Sequence, residues 1–399
     1  MLRISVSIIL SLLLLTRCDL TDAPIDDTIE VNAKTARLIE AENEFGLALY
    51  KNVYSQETEY ENIMVSPLSV SLALAMTYNG ASGETQTAME QTLMVHGLTP
   101  EEINTSYHHL VEALKSLDPK VLLEIANAIF YRNDFVVEDD FIYANQYFYD
   151  AEVAPLDFGK EQEALETING WVAEKTHDKI ESILERITRD QVMFLLNAIW
   201  FKGTWQKEFN EESTESLPFY LENGTTIETE TMQRLDTLPY MKNDLFSAIQ
   251  LSYGKGNYNM FVFLPSQDRE LEEIIDQLDS ENWKNWMESF EETQRVDIKL
   301  PRFNYAYEIK LNDVLAEMGM GVAFTPAADF SGINRHGGLF IDYVKHKSFI
   351  EVNEEGTEAA AVTVVAIGRT SAGPLKIPFH VNRPFFYAIT EKDTGAILF

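Results

Sequence analysis

The sequence predicts one mixed α+β domain that extends from residue 33 to residue 399. Helix-like segments concentrate in the first half of the chain and strand-like segments in the second, without a regular βαβ alternation. The same range contains no Ser/Gly/Pro-rich linker, no low-complexity run and no internal repeat, so nothing divides it. Hydrophobic residues make up 45% of the chain and charged residues 24%, which is typical of globular proteins.

The helices are predicted from the spacing of apolar residues. Residues 35–50 place Leu38, Phe45 and Leu49 among charged residues at helical intervals. Pro67 suits the first turn of a helix that continues through the apolar residues 70–76. Residues 178–189 are charged and helical in character, so we expect another helix there.

The strands are predicted from apolar runs that are rich in β-branched and aromatic residues. Such runs cover residues 122–130, 193–201, 258–264, 296–300, 340–344 and 379–389. The runs at 193–201 and 258–264 are apolar on both faces, as expected for interior strands of a covered sheet.

The charge balance excludes several classes of partner. The chain carries 31 Lys+Arg against 64 Asp+Glu, a formal net charge of -33. Such an acidic protein repels nucleic acid, heparin-like polysaccharides and anionic lipid, so we expect none of these as partners. Cys18 is the only cysteine, which excludes an intrachain disulfide and a cysteine-based zinc site.

The N-terminus has the pattern of an export signal. Arg3 precedes an apolar stretch over residues 4–15. As a helix this stretch rises only about 18 Å, too short for a hydrocarbon core of about 30 Å, so residues 1–17 are predicted to be a signal peptide. Residues 15–18 (LTRC) resemble a bacterial lipoprotein box, which implies a lipid anchor on Cys18. Arg17 departs from the small residue usual there, and the alternative is an ordinary signal peptide that ends in cysteine.

Export is expected on either interpretation. The protein is then held at a bacterial cell envelope or surface through Cys18, which is its only expected membrane contact, or it is secreted. Residues 18–32 are acidic and lack helical periodicity, and we interpret them as a solvated tether.

No catalytic site is predicted. The sequence contains no G-x-S-x-G, no P-loop, no H-E-x-x-H and no complete dinucleotide-binding fingerprint. The histidines show no metal-ligand spacing. We therefore expect neither an enzyme nor a bound metal or cofactor.

One segment near the C-terminus combines properties of a strand and of an exposed loop. Residues 359–368 carry no charge and are rich in small and β-branched side chains, which suits a strand. Gly356 offers a flexible pivot before them, and residues 368–374 are typical of a loop accessible to proteases. The segment is therefore either a permanent strand that ends in a turn, or a loop that becomes a strand when a sheet opens.

The same segment carries a family resemblance. Residues 354–363 (EEGTEAAAVT) are similar to the hinge of an inhibitory serpin. Other serpin motifs are matched, in the family's order, by residues 62–69 (NIMVSPLS), 80–85 (GASGET), 196–205 (LNAIWFKGTW), 300–303 (LPRF), 328–333 (ADFSGI), 345–347 (KHK) and 382–385 (NRPF). The resemblance spans residues 33–399. The sequence departs from the family pattern in two places. The helix-like residues 100–118 lack the basic cluster that binds heparin in some members, and the chain ends at Phe399, a few residues before family members usually do.

The resemblance implies a fold and a function. The fold has three β-sheets, eight or nine helices and an exposed reactive-centre loop at about residues 354–374. The function is suicide inhibition of serine proteases by a monomer, with trypsin-like enzymes preferred and elastase-like, subtilisin-like or cysteine proteases as further targets. The protease cleaves the loop and stays attached as an ester, while the loop inserts into the main sheet. The alternative is a non-inhibitory serpin that acts as a binding or chaperone-like lipoprotein at the cell surface.

The resemblance also implies roles for individual residues. The hinge would be Glu354, Glu355, Gly356, Thr357, Glu358, Ala359, Ala360 and Ala361. The shutter, a buried hydrogen-bonded cluster that holds the main sheet closed, would be Ser66, Ser69, Asn197 and His346. The breach, where insertion starts, would be Trp205, Arg302 and Glu354. The cleaved bond would be Arg369–Thr370, or it would follow Thr370, since both spacings from Glu354 occur in the family.

Overall fold

The computed structural model describes residue 29 and residues 31–58, 62–357 and 376–399. Nine α-helices lie in these ranges, within the predicted eight or nine. They are α1 (Ala33–Gln56), α2 (Pro67–Tyr78), α3 (Gly83–Thr92), α4 (Pro100–Ser116), α5 (Asp139–Tyr149), α6 (Glu161–Lys175), α7 (Leu271–Asp276), α8 (Ser280–Glu288) and α9 (Asn312–Leu315). Within the described ranges, none of them is long and apolar enough to span a bilayer.

Most of the strands lie in the second half of the described chain. They are β1 (Val121–Arg132), β2 (Glu152–Leu156), β3 (Met193–Thr204), β4 (Glu215–Tyr220), β5 (Thr226–Lys242), β6 (Phe246–Tyr253), β7 (Tyr258–Pro265), β8 (Glu291–Pro301), β9 (Phe303–Lys310), β10 (Lys345–Val352), β11 (Gly356–Thr357), β12 (Ile377–His380) and β13 (Phe386–Glu391).

The described strands form two hydrogen-bonded sheets. The six-stranded sheet has the order β2-β1-β3-β11-β10-β9, and only its β1–β2 pair is parallel. The seven-stranded sheet has the order β12-β8-β5-β6-β7-β13, with β4 added to β5. The long strand β5 pairs with β4 at its start and with β6 at its end. The resemblance implies three sheets, and the described strands form two, because β5 joins the strands around β4 and the strands around β6 into one sheet.

The six-stranded sheet is covered on both faces. Helix α2 is apolar all round and almost wholly buried, as expected for a helix inside the core. It shares the main apolar cluster with side chains of β1 and β10, including Ile125 and Ile350. On the other face, α6 packs against β1 and β3 in a separate cluster that includes Trp171 and Leu196. Both faces of β3 are thus in contact with other elements, which explains its apolar sequence.

Most predicted strands are present, and three predictions need correction. Residues 340–344 are not a strand, because their backbone bonds elsewhere: Ile341 N–H to Ala323 O and Leu311 N–H to Val344 O. The run 379–389 is split into β12 and β13 around Pro384, which has no N–H to donate to a sheet. Residues 178–189 are irregular instead of helical, because His177 and Asp178 adopt left-handed backbone conformations after α6.

Candidate functional site

The candidate site starts at a tight turn after β10. The Asn353 backbone N–H donates to Gly356 O at 2.9 Å. Its side-chain Oδ1 accepts from the N–H groups of Glu355 at 3.1 Å and Gly356 at 3.2 Å. A short polar side chain that satisfies the turn's own backbone is characteristic of Asn. This turn sends the chain back between β10 and β3 as strand β11.

Strand β11 lies between β3 and β10 and pairs with both. Thr357 is opposite Val352 of β10 and Gly203 of β3. Gly356 is opposite Thr204 and has a φ of +153°, which side chains rarely tolerate. Thr357 is 3% exposed, and its Oγ1 lies 2.7 Å from the Tyr253 hydroxyl. The first two residues after the turn are therefore already part of the six-stranded sheet.

Trp205 fixes the turn from the end of β3. Its backbone N–H donates to Glu355 O at 2.7 Å, and its indole Nε1 donates to Asn353 O at 2.9 Å. The indole stacks on Tyr253, with ring centres 4.4 Å apart and planes within 13°. A few residues on, Phe209 N–H donates to Glu354 O at 2.8 Å. The segment after β3 thus donates hydrogen bonds to several carbonyl groups of the turn.

An ion pair anchors the same turn through its first carboxylate. Arg302 Nε lies 2.7 Å from both carboxylate oxygens of Glu354, which is 3% exposed. Thr214 Oγ1 also donates to Glu354. Burial by itself would raise the pKa of Glu354, but these hydrogen bonds outweigh it and hold the pKa below the usual value. The structure therefore brings together all three predicted breach residues.

Glu355 has the opposite environment. Burial raises the pKa of its carboxyl, and the negative charges of Glu208 and Glu211 raise it further, against a smaller effect of Lys202. Among the described residues, its Oε2 has no hydrogen-bond partner. The hinge turn thus combines Glu354, whose charged form is well paired, with Glu355, whose charged form is disfavoured by its surroundings.

Three of the four predicted shutter residues are joined by hydrogen bonds. Ser66 N–H donates to His346 Nε2 at 3.2 Å, so the lone pair is on Nε2. Ser66 Oγ donates to Leu398 O at 2.7 Å and accepts from Ser69 N–H at 3.3 Å. Burial lowers the pKa of His346 to about 4, which keeps the ring neutral at physiological pH. This cluster connects α2, β10 and the C-terminal residues.

Asn197, the fourth predicted shutter residue, bonds elsewhere. Its Nδ2 donates to Asn127 Oδ1 at 2.8 Å, and Asn127 Nδ2 donates to Tyr149 O at 2.7 Å. Asn197 Oδ1 has no partner among the described residues. The described contacts therefore link Asn197 to β1 and the end of α5, and show no hydrogen bond to His346.

The family is shown by comparison with known proteins. A family model described as Serpin (serine protease inhibitor) matches residues 40–399. The chain belongs to the serpin family. Iripin-2 from Ixodes ricinus is 35% identical to this serpin over 91% of this chain and 92% of Iripin-2.

Solved structures show the fold. The native-state structure of the thermophilic serpin tengpin matches this serpin with a TM-score of 0.83 and 32% identity, over 92% of this chain and 93% of tengpin. Human thyroxine-binding globulin, solved in complex with thyroxine, matches with a TM-score of 0.82 and 28% identity, over 92% of this chain and 97% of the globulin. Serpins are generally protease inhibitors, and the family also includes binding proteins of this second kind.

Several predicted site residues lie outside the described residues. They are Cys18, Glu358, Ala359, Ala360, Ala361, Arg369 and Thr370. Their roles remain predictions. In the part of the chain that the structure describes, no group of three or more His, Cys, Asp or Glu side chains could hold a metal ion.

Three residues of the site were not predicted from the sequence. Asn353, Tyr253 and Thr214 contact the hinge turn or β11 directly. Asn353 precedes the predicted hinge by one position, and Asn is a residue type that is frequent in turns. Tyr253 and Thr214 carry no such signal, because only the pairing of distant strands brings them to the hinge.

A buried carboxyl group on α1, that of Glu42, contacts Ser71 of α2, the helix that carries Ser69. Glu42 of α1 accepts hydrogen bonds from Ser71 Oγ and from the Tyr107 hydroxyl, both at 2.7 Å. Burial raises the pKa of Glu42 to about 7, and the two hydrogen bonds offset only part of that effect. Glu42 and His346 therefore titrate abnormally in opposite directions.

We expect Glu42→Gln and His346→Gln to change the pH dependence of stability with opposite signs. Between pH 4.5 and about 7 the native state holds a proton on Glu42 that the unfolded chain releases, so this contribution falls as pH rises. Between about pH 4 and 6.5 the unfolded chain binds a proton on His346 that the native state excludes, so this contribution rises. Each amounts to about 3 kcal/mol.

Urea unfolding between pH 4.5 and 6.5, where both windows overlap, measures the two effects. Relative to the unmodified chain, Glu42→Gln should gain stability as the pH rises, and His346→Gln should lose it. All other carboxyl groups contribute equally to the three proteins. Parallel stability curves for the three would contradict the assignment.

Proposed function

We propose that this serpin is a suicide-substrate inhibitor of serine proteases, with trypsin-like enzymes as preferred targets. The observation that carries the proposal is β11, which pairs with β3 through both of its residues and with β10 through Thr357. A strand that begins between two others can be extended along them, since each added residue gains backbone hydrogen bonds. Serpin loop insertion is a recognised example of such strand addition.

The proposed mechanism begins with an ordinary proteolytic attack. The protease serine adds to the carbonyl carbon of Arg369, the bond to Thr370 breaks, and the Thr370 amine leaves with a proton. An ester then links the protease to Arg369. Extension of the strand from Gly356 to Arg369 at about 3.3 Å per residue moves this ester by about 43 Å. Such a displacement misaligns the ester in the protease before water can hydrolyse it.

The environment of Thr357 supports this mechanism. Its side chain is small and buried, and its hydroxyl is paired with that of Tyr253. A charged side chain at this position would be buried without a partner, at a cost of several kcal/mol. Insertion beyond Thr357 therefore demands uncharged inward residues, and the alternate positions Ala359, Ala361 and Thr363 are uncharged.

Titration with trypsin, followed on a denaturing gel and by melting, tests the function. We expect a covalent complex that resists SDS, together with a cleaved form that melts at a higher temperature than the intact chain. Thr357→Arg should be cleaved at the same bond without trapping trypsin, whereas Thr357→Ser should trap normally because it keeps the hydroxyl. Complete cleavage without a complex, and without a rise in melting temperature, would contradict inhibition.

The same reaction identifies the cleaved bond. N-terminal sequencing of the released peptide should begin at Thr370 if Arg369 enters the protease pocket. A start at Ser371 would assign that role to Thr370.

A carrier function is the second candidate, because thyroxine-binding globulin shares the fold. A carrier would be cleaved by trypsin as a plain substrate, so the titration separates the two functions. We further propose export and a lipid anchor on Cys18, on the basis of the N-terminal sequence alone.

A further inference from the structure

The segment between α6 and β3 lies on one face of the six-stranded sheet. We call residues 176–189 the strap. Four aliphatic side chains of the strap are buried: Ile180, Ile183, Leu184 and Ile187. They pack in the same apolar cluster as α6 and the α6-facing side of β3. Asn169 of α6 accepts from the N–H groups of Ile183 and Leu184 at 2.9 and 3.0 Å, which fixes the strap against that helix.

At its start, the strap contacts β1 and β3. The His177 ring centre lies 3.9 Å from that of Trp200 on β3. His177 Nε2 lies 2.9 Å from Glu124 Oε2 on β1. Both contacts are on the same side of β11 in the strand order.

A few residues later, the strap contacts β10. Lys179 Nζ lies 3.4 Å from Glu351 Oε2 and 5.0 Å from the centre of the Phe349 ring. In the reverse direction, Lys347 Nζ donates to Ser182 O at 3.1 Å. These contacts are on the other side of β11.

The backbone at the start of the strap is in an unusual conformation. His177 and Asp178 are consecutive non-glycine residues with φ of 51° and 61°. Left-handed conformations of such residues cost energy and persist only where surrounding contacts hold them. Here the contacts are those of His177 with Trp200 and Glu124, which orient the chain toward Lys179 and β10.

We propose that His177 and Lys179 form a clasp across β11 that sets the rate at which the loop enters between β3 and β10. The clasp joins the two strands that flank the hinge strand, on the face that carries Trp200 and Phe349. A strand that extends β11 must pass beneath the strap, so the clasp has to loosen as the loop enters. This inference rests on the proposed inhibitory function and assigns His177 and Lys179 as positioning residues.

Removal of either contact should accelerate loop insertion. In Lys179→Met the side chain keeps its length but loses its charge, and in His177→Asn the residue tolerates the left-handed backbone but loses the ring contact. We expect each variant to lose its trypsin-trapping capacity on storage at least about fivefold faster, as the loop inserts without cleavage. Lys179→Arg should insert its loop at the same rate as the unmodified chain, because arginine keeps the charge and the contact with Phe349.

Lys175→Met is the matched control. Lys175 lies at the end of α6 and its ion pair is with its neighbour Glu174, away from β10. Raising the ionic strength from about 0.05 M to about 0.5 M should accelerate insertion in the unmodified chain and in the control, because salt screens the Lys179–Glu351 pair. The acceleration should be smaller in Lys179→Met, which a role in folding alone would not produce.

The outcomes separate this inference from the function on which it rests. If the unmodified chain and all variants trap trypsin normally and insert their loops at equal rates, the clasp is overturned and the inhibitory function stands. If the unmodified chain traps no protease and its cleaved form melts no hotter, both proposals are overturned.

Discussion

Replacing Gly356 with alanine is expected to convert this serpin from an inhibitor into a substrate of trypsin. A Cβ at Gly356 would lie 2.0 Å from Gly203 O and 2.7 Å from Thr204 Cα. Both are backbone atoms of β3, which cannot rotate aside as a flexible side chain could. The alanine must therefore displace the hinge from β3 and break the pairing with which insertion begins.

The measurement is the number of serpin molecules cleaved for each trypsin molecule trapped. We expect this number to rise at least about tenfold, which needs only about 1.4 kcal/mol of preference for release over insertion. Gly97→Ala is the control, because Gly97 has a φ of +81° but no atom within 4 Å of its ideal Cβ. Gly97→Ala therefore introduces the strain of a side chain at a left-handed position, but its Cβ meets no backbone atom as that of Gly356→Ala does. An unchanged ratio for Gly356→Ala would show that β11 plays no part in trapping.

Removal of the Arg302 side chain should weaken the hinge and lower the stability of the native state. Arg302→Ala leaves Glu354 buried with Thr214 as its remaining side-chain hydrogen-bond donor among the described residues. Breaking a fully buried pair costs about 3–5 kcal/mol, and since the Arg302 side chain is 41% exposed, water reduces the loss to about 2 kcal/mol. Urea unfolding at neutral pH measures this loss, and native gels after mild heating should show faster polymerisation.

Two variants show whether the effect belongs to the breach. Arg335→Ala removes an ion pair with Glu138 whose arginine is 80% exposed, so it should change stability by less than about 1 kcal/mol. Arg302→Met combined with Glu354→Gln removes both charges and should recover part of the loss, because no buried charge is left unpaired. Equal losses for Arg302→Ala and Arg335→Ala would mean that the breach pair has no special role.

The strap shows where a local pattern is misleading. Its charged residues have helical spacing, yet in the structure four of its aliphatic residues are buried on a sheet. Lys179 pairs with Glu351 of that sheet, and the Ser182 carbonyl accepts from Lys347. A helix would expose part of the apolar set. Contact with the sheet outweighs the weak helical preference of so short a segment, as tertiary packing commonly does.

Some contacts of the candidate site could also be predicted from the sequence, and others could not. The Glu354–Arg302 pair and the Ser66–His346 contact were predicted residue by residue through the serpin resemblance, and the structure contains both. Tyr253 could not be predicted, since it meets Thr357 only after β6 and the end of β3 have come together. The sequence also does not reveal that Asn197 bonds to Asn127, because that depends on the register of β1 and β3.

The sequence by itself determined the most apolar elements, strands β1, β3 and β7 and the buried helix α2, because long apolar runs have few alternatives to a place in the core. It also predicted a pivot at Gly356 followed by small, uncharged residues, because that composition is unusual. Only the tertiary structure decided that β11 starts between β3 and β10, and that the strap spans the same two strands. These arrangements depend on contacts between residues distant in the chain, whose energies no local pattern encodes.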